Sequence, residues 1–254
     1  MDMNRSFMVF DIETVPDLPA FAKAYDIDPW DDEGLKTALG DGLPPHAFCE
    51  VVAIAYMRIG LFGQEPAKVH ECKTIHSGER GEAAIINEFF RDVDGLCARL
   101  VSFNGSGFDI PVLRYRALKL SVVAKTLANP KLYQRYGGEH IDLCSLLASH
   151  EGRARTSLSK VCSLLGVAGK TEGVDGSRVD EMIAQNRIHE VAAYCMDDVA
   201  ATARVFLRNR VLEGEMKLAA YESNVAIIDA AAAREKQRAL TAPRRSAARL
   251  SVVA

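Results

Sequence analysis

The first patterned stretch of the chain, "SFMVFDIETVP" at residues 6–16, is apolar until it stops at two acids. Read as a strand, it alternates faces, with Phe7, Val9, Asp11 and Glu13 on one side and Met8, Phe10 and Ile12 on the other. The two carboxylates therefore point the same way. Buried like charges held that close are costly unless something neutralises them, and a cation is the obvious candidate. The alternative is that both acids reach water at a strand end, with Pro16 and Pro19 marking the loop that follows.

Residues 16–50 mix Pro, Gly and acids around short helical pieces and read as an insertion over one edge of the domain. "CEVVAIAYMRIG" (49–60) and "AKVHECKTI" (67–75) have strand character around a Gly/Pro turn, which predicts a hairpin. Helical periodicity follows over 78–95 through Ile85, Ile86, Phe89 and Phe90. "CARLVSFNG" (97–105) returns to strand, and "FDIPVLRYRALKL" (108–120) to helix, with Pro111 in its first turn. Next come a short apolar segment (140–147), a capped helix ending at Gly166 and a Gly-rich loop (169–179). From Val179 the pattern is helical to about Ala233, with a break near Gly214. Strand, hairpin, helix, strand and helix in that order predict an α/β fold: a mixed sheet flanked by helices, with a helical C-terminal region.

Composition narrows the class. With 254 residues and 48% hydrophobic content, one domain over residues 1–230 is expected. No run of 18 apolar residues occurs and no secretory signal precedes the first strand, which points to the cytosol and away from membranes. The six cysteines lie at wide, irregular spacings, arguing against a zinc site or a disulfide framework. The total charge of −3 hides an asymmetry: from Ala231 onward six basic residues face Glu235 alone, a net +5, leaving −8 on residues 1–230. The Ala/Arg-rich stretch 231–254 thus reads as a basic tail, either a phosphate-holding arm or a solvated, disordered end.

Two further motifs bear on chemistry. In "LVSFNGSGFDIPVLRYRAL" (100–118) a strand runs into Asn104, two glycines permit a tight turn, and Asp109 opens the following helix. Taken alone, an Asp there is an ordinary helix cap. In "HEVAAYCMDDVAATARVF" (189–206), Tyr194 and Asp198 are four apart and share a helical face, whereas Asp197 lies about 100° away. Taken alone, that pair is ordinary core packing.

Together, Asp11 and Glu13 in "FDIET", Asp109 in "SFNGSGFDIPVL" and Tyr194 with Asp198 in "YCMDDVAAT" make the chain resemble the DEDD superfamily of 3′-5′ exonucleases over residues 6–210. Tyr194 stands where the tyrosine branch has its tyrosine, while Ala193 occupies the place of the other branch's histidine. Within that branch, the chain looks like bacterial exonucleases related to the proofreading domain of family B DNA polymerases. The resemblance implies a ribonuclease H-like fold with a mixed five-stranded sheet. It also implies hydrolysis of phosphodiester bonds from a 3′ end by two Mg²⁺ or Mn²⁺ ions, which in such sites lie about 3.5–4 Å apart. In that scheme Asp11 bridges both ions, Glu13 and Asp198 complete the site of the ion that activates water, Asp109 holds the second ion, and Tyr194 orients the attacking water. Hard oxygen donors suit these ions.

The expected partner is a single-stranded nucleic acid 3′ end, DNA before RNA. An RNA or short-oligonucleotide exonuclease, or a binding module that cleaves little, are the alternatives. Candidate substrate contacts are Asn104, Phe108 by stacking on a base, Arg153 and Arg155 on phosphates, and Lys170 in the Gly-rich loop.

Overall fold

The computed structural model describes residues 6–40, 42–96, 98–134, 138–169 and 178–242. Lys170 and most of the Gly-rich loop lie outside them.

Strand β1 (Ser6–Pro16) is the centre of a five-stranded sheet ordered β3-β2-β1-β4-β5. The hairpin strands β2 (Cys49–Gly60) and β3 (Lys68–His76) run antiparallel on one side, while β4 (Arg99–Ser102) and β5 (His140–Asp142) run parallel to β1 on the other. The expected mixed sheet is therefore present, and the alternation in β1 decides its two cores. Phe7 and Val9 join Val101, Val199 and Phe206 on one face. Met8, Phe10 and Ile12 join Phe89, Phe90 and Leu113 on the other.

The first face is covered by α9 (Ile188–Leu212) and α10 (Leu218–Thr241), with α6 (Leu143–Leu147), α7 (Leu158–Leu165) and α8 (Val179–Ala184) at its margins. The second is covered by α3 (Glu82–Leu96), α4 (Asp109–Leu120) and α5 (Lys125–Ala128). Between β1 and β2, α1 (Leu18–Tyr25), α2 (Asp32–Leu39) and a 3-10 turn at His46–Phe48 bury a satellite core of Phe21, Ala22 and Leu35, with Phe48 against it. None of the helices among the described residues is long and apolar enough to cross a membrane.

The C-terminal expectation needs correction. Residues from Ala231 do not start a tail: α10 continues to Thr241, burying Ala231, Ala232, Glu235 and Ala239. Small residues at three- and four-residue spacing let this helix lie close to its neighbours. Its side chains also close the free edge of β3. The Ala67 N–H donates to Asn224 Oδ1 (2.7 Å) and the Thr74 N–H to Glu235 Oε1 (2.7 Å), while Arg238 donates to the Thr74 carbonyl (2.9 Å). An open strand edge invites pairing with other chains, and here side chains occupy it instead.

Three elements are bolted together by one buried cation. Arg116 of α4, 2% exposed, forks onto Glu82 at the start of α3 through Nε (2.6 Å) and Nη2 (2.5 Å), and reaches Asp17, just past β1, through Nη1 (2.5 Å). Glu82 also accepts the Val51 N–H of β2 (2.8 Å), and Lys119 pairs with Asp17.

Candidate active site

Strand β1 outlasts its partner β4. Their pairing covers only Phe7–Val9 with Arg99–Val101, and β4 ends at Ser102. Beyond Val9, the β1 edge that β4 leaves uncovered carries the Ile12 N–H, and the Asp109 carboxylate accepts it together with its own N–H. Asp109 is the first residue of α4 and not its cap, which is Phe108. Its side chain is thus tied to the strand between Asp11 and Glu13. A register shift in the β1–β2 ladder at Glu13/Thr14 lies at the same place, the kind of irregularity that re-aims side chains beside functional sites.

The turn that delivers Asp109 is fixed from β5. Asp142 accepts the N–H groups of Asn104 (2.8 Å) and Ser106 (3.1 Å). His140 Nε2 bonds Ser102 Oγ (2.8 Å), which also accepts the Gly105 N–H (3.1 Å). Asn104 sits in the left-handed region at φ 70°, a conformation asparagine tolerates better than most residues. Gly105 is required for space, because a Cβ there would fall 2.2 Å from Ser102 Oγ.

Helix α9 supplies the third side. Tyr194, Cys195 and Asp198 are all buried on it. The Cys195 thiol donates to the Asp11 carbonyl (3.4 Å) and to Asp11 Oδ2 (3.5 Å), and donor atoms of Asp11, Glu13 and Cys195 lie within 4.8 Å of one another.

Electrostatics record the crowding. Burial pushes Asp109 up to about 7, and the charges of Asp142 and Asp198 add to the rise against the pull of its two N–H donors. Burial, then Asp11, Glu13 and Asp198, hold the Cys195 thiol far above its ordinary range. A buried carboxylate whose proton affinity is raised by neighbouring acids is a ready receptor for a divalent cation, and the donor set is oxygen throughout apart from one thiol.

Of the residues singled out in the sequence, Asp11, Glu13, Asp109 and Asp198 gather where the pairing of β1 with β4 stops, against α9, and Tyr194 is buried on α9 one turn before Asp198. Asn104 and Arg155 join their rim: Arg155 donates to Asn104 Oδ1 (3.1 Å) and Ser145 Oγ (3.0 Å). Phe108 meets the ring of His46 edge-on at 5.4 Å, which brings the segment between β1 and β2 to the same end of the sheet. Arg153 is exposed on the Gly152–Ala154 turn and makes no hydrogen bond to the cluster.

Sequence reasoning missed Cys195 and Asp142. Cys195 lies three residues before Asp198, a spacing that already puts it on a neighbouring face. Asp142 stands directly before a helical segment, the position of a capping acid, and it does cap α6 through the Ser145 N–H (3.3 Å).

The sheet order β3-β2-β1-β4-β5 with helices on both faces defines a ribonuclease H-like fold. The chain belongs to the family of predicted 3′-5′ exonucleases related to the exonuclease domain of PolB, whose match spans residues 42–244 and so includes Asp109, Tyr194 and Asp198 but not β1. No curated protein matches it. Among solved structures, the family B DNA polymerase of the hyperthermophilic archaeon Pyrobaculum calidifontis superposes with a TM-score of 0.52 at 19% identity, covering 93% of this chain and 28% of the polymerase. E. coli exonuclease I in complex with a dT13 oligonucleotide gives 0.39 at 14% identity, covering 78% of this chain and 39% of that one. The chain spans less than half the length of either.

Proposed function

We propose that the protein is a divalent-metal-dependent 3′-5′ exonuclease of the tyrosine branch, releasing nucleoside monophosphates from single-stranded DNA. The observation that carries this reading is the convergence of Asp109, tied to the Ile12 N–H, with Asp11, Glu13 and Asp198 beside the buried Tyr194. Asp11, Glu13 and Asp198 would hold one Mg²⁺ or Mn²⁺ and Asp11 with Asp109 a second. When bound, such ions lower the pKa of water and offset the charge that gathers on the phosphate and on the departing 3′ oxygen.

The protein's own groups then have distinct tasks. Tyr194 holds the attacking water by its hydroxyl, since a phenol with a pKa near 10 orients better than it deprotonates at neutral pH. Phe108, backed by His46, offers a ring to the terminal base, and Arg155 with Asn104 meets the sugar-phosphate backbone. The water oxygen bonds to phosphorus and gives up a proton to solvent, the bond from phosphorus to the preceding nucleotide's 3′ oxygen breaks, and that oxygen takes up a proton from solvent.

The test is degradation of 5′-labelled single-stranded DNA and RNA with Mn²⁺, Mg²⁺ or EDTA. A ladder shortening from the 3′ end, dependent on metal and faster on DNA, is expected. Asp11→Asn or Asp198→Asn should lower its rate by at least about a thousandfold, the equivalent of roughly 4 kcal/mol of lost charge stabilisation. Cleavage that persists in EDTA or in these variants overturns the reading, and faster loss of RNA reverses the substrate assignment.

A further inference from the structure

The two edges of the sheet are treated differently. Side chains of α10 close the β3 edge, whereas at β5 a cleft of about 710 Å³ runs beside the sheet. It begins at Ser106 and Arg155, on the rim of the acid cluster, and passes Arg114 and Tyr115 of α4 and Tyr133 to reach Arg99 at the start of β4. Arg99 opens β4, and Asp142, the partner of Ser102 at the strand's other end, also lines the cleft, so the cleft follows the strand for about 10 Å at roughly 3.3 Å per residue.

The charge in this cleft is unusual for a chain whose net charge is −3. Arg80, Arg116, Arg187, Arg204 and Arg238 all pair with carboxylates elsewhere in the fold. Arg99, Arg114 and Arg155 do not. Arg114 donates to the Leu127 carbonyl (2.6 Å), Arg155 to two neutral oxygens, and the Arg99 side chain makes no hydrogen bond or ion pair among the described residues. The acids on the wall are already engaged: Asp142 by the amides of Asn104, Ser106 and Ser145, and Glu213 by Asn209 and Arg210. Two tyrosines stand among these cations, Tyr115 at 50% and Tyr133 at 47% exposure, with the Arg114 guanidinium 4.4 Å from the Tyr133 ring centre.

A groove that combines surplus cations with exposed rings is how single-stranded nucleic acid is held without regard to sequence. We infer that the β5-edge cleft binds the strand contiguous with the 3′ nucleotide, its phosphates on Arg99, Arg114 and Arg155 and its bases on Tyr115 and Tyr133. The length suits two or three stacked nucleotides at roughly 3.4 Å each. This inference rests on the exonuclease reading and adds to it a strand-holding site outside the acid cluster. It makes the enzyme favour oligonucleotides over mononucleotide esters, and makes that preference sensitive to salt.

The test compares the full chain with Arg99→Ala/Tyr115→Ala and with Tyr115→Ala alone, circular dichroism confirming that each is folded. Substrates are the p-nitrophenyl ester of thymidine 5′-monophosphate, which reaches only the acid cluster, and a twelve-residue oligo(dT), both with Mn²⁺. The expected result is at least a tenfold rise in KM for the oligonucleotide in the double variant, less in the single one. The salt slope of oligonucleotide affinity should also be shallower by about 0.7, the value for one phosphate contact on a single strand. An unchanged KM and salt slope overturn the inference. If the wild type cleaves neither substrate, the exonuclease reading fails by itself. The cleft is then judged by fluorescence anisotropy of labelled oligo(dT) in EDTA, where equal affinity of wild type and double variant overturns it and weaker affinity of the variant supports it.

Discussion

Replacing Arg116 by methionine removes the one charge that faces both Asp17 and Glu82. The side chain is buried, makes three charge-assisted hydrogen bonds, and burial does not discharge it, because its two acid partners raise its pKa further. Methionine fills much of the same volume, so the loss is electrostatic: two carboxylates with 6% and 9% side-chain exposure are left without their cation. Breaking such a pair from one side costs about 3–5 kcal/mol. Lys119 still reaches Asp17, and Glu82 keeps the Val51 N–H, which places the expected loss near 3 kcal/mol. Urea unfolding followed by circular dichroism is the appropriate assay, because the single tryptophan, Trp30, is 90% exposed and reports poorly on the core. Arg116→Met with Asp17→Asn and Glu82→Gln should recover most of the loss, since it removes the stranded charges along with their partner. A loss below about 1 kcal/mol for Arg116→Met, or additive effects of Arg116→Met and Glu82→Gln in a double-mutant cycle, would refute the argument.

Three further outcomes are expected. Tyr194→Phe should lower kcat by about a hundredfold with KM for the oligonucleotide little changed, as removal of a water-orienting hydroxyl requires; equal effects on both would assign the residue to packing. Asp142→Ala strands the amides of Asn104 and Ser106 and should cost about 1–3 kcal/mol in urea unfolding, with a fall in activity as the turn before Asp109 loosens. The third outcome concerns acid. Burial lowers His76 to about 4, beside His189 at 4.9 Å between ring centres. The unfolded chain takes up this proton below about 6.5 and the folded one only near 4, so the stabilisation is complete above pH 6.5 and is lost as pH falls towards 4. At pH 5 that amounts to about 2 kcal/mol, and His76→Leu should lose correspondingly less between pH 7.5 and pH 5 in urea titrations.

The sheet and the common face of Asp11 and Glu13 were legible because both rest on short-range periodicity, whereas Asp109 and Asp198 joined them only through the resemblance. Alternation in β1 put Asp11 and Glu13 on the face of Phe7 and Val9, and the structure keeps them there, above α9. The hairpin at 49–60 and 67–75 and the helix opening at Asp109 are likewise local patterns. What stayed hidden is tertiary. Asp142 read as part of an apolar segment because β5 is only three residues long, too short to show alternation. Cys195 read as one of six widely spaced cysteines until β1 came up against α9. The end of α10 read as a basic tail because its buried side is built of alanines, whose small apolar surface gives little contrast with the charged residues between them. Its anchors, Glu235 and Arg238, become meaningful only once β3 is beside them.

Closing β3 with side chains instead of another strand also makes its hydrogen bonds separable from the rest of the sheet. The Ala67 and Thr74 amides are protected only while Asn224 and Glu235 stay in place, so α10 can lift away and return without any strand leaving its ladder. Amide exchange at these two positions should therefore report the undocking of one helix, at a free energy below that of global unfolding, while the amides of central β1 exchange only when the whole domain opens.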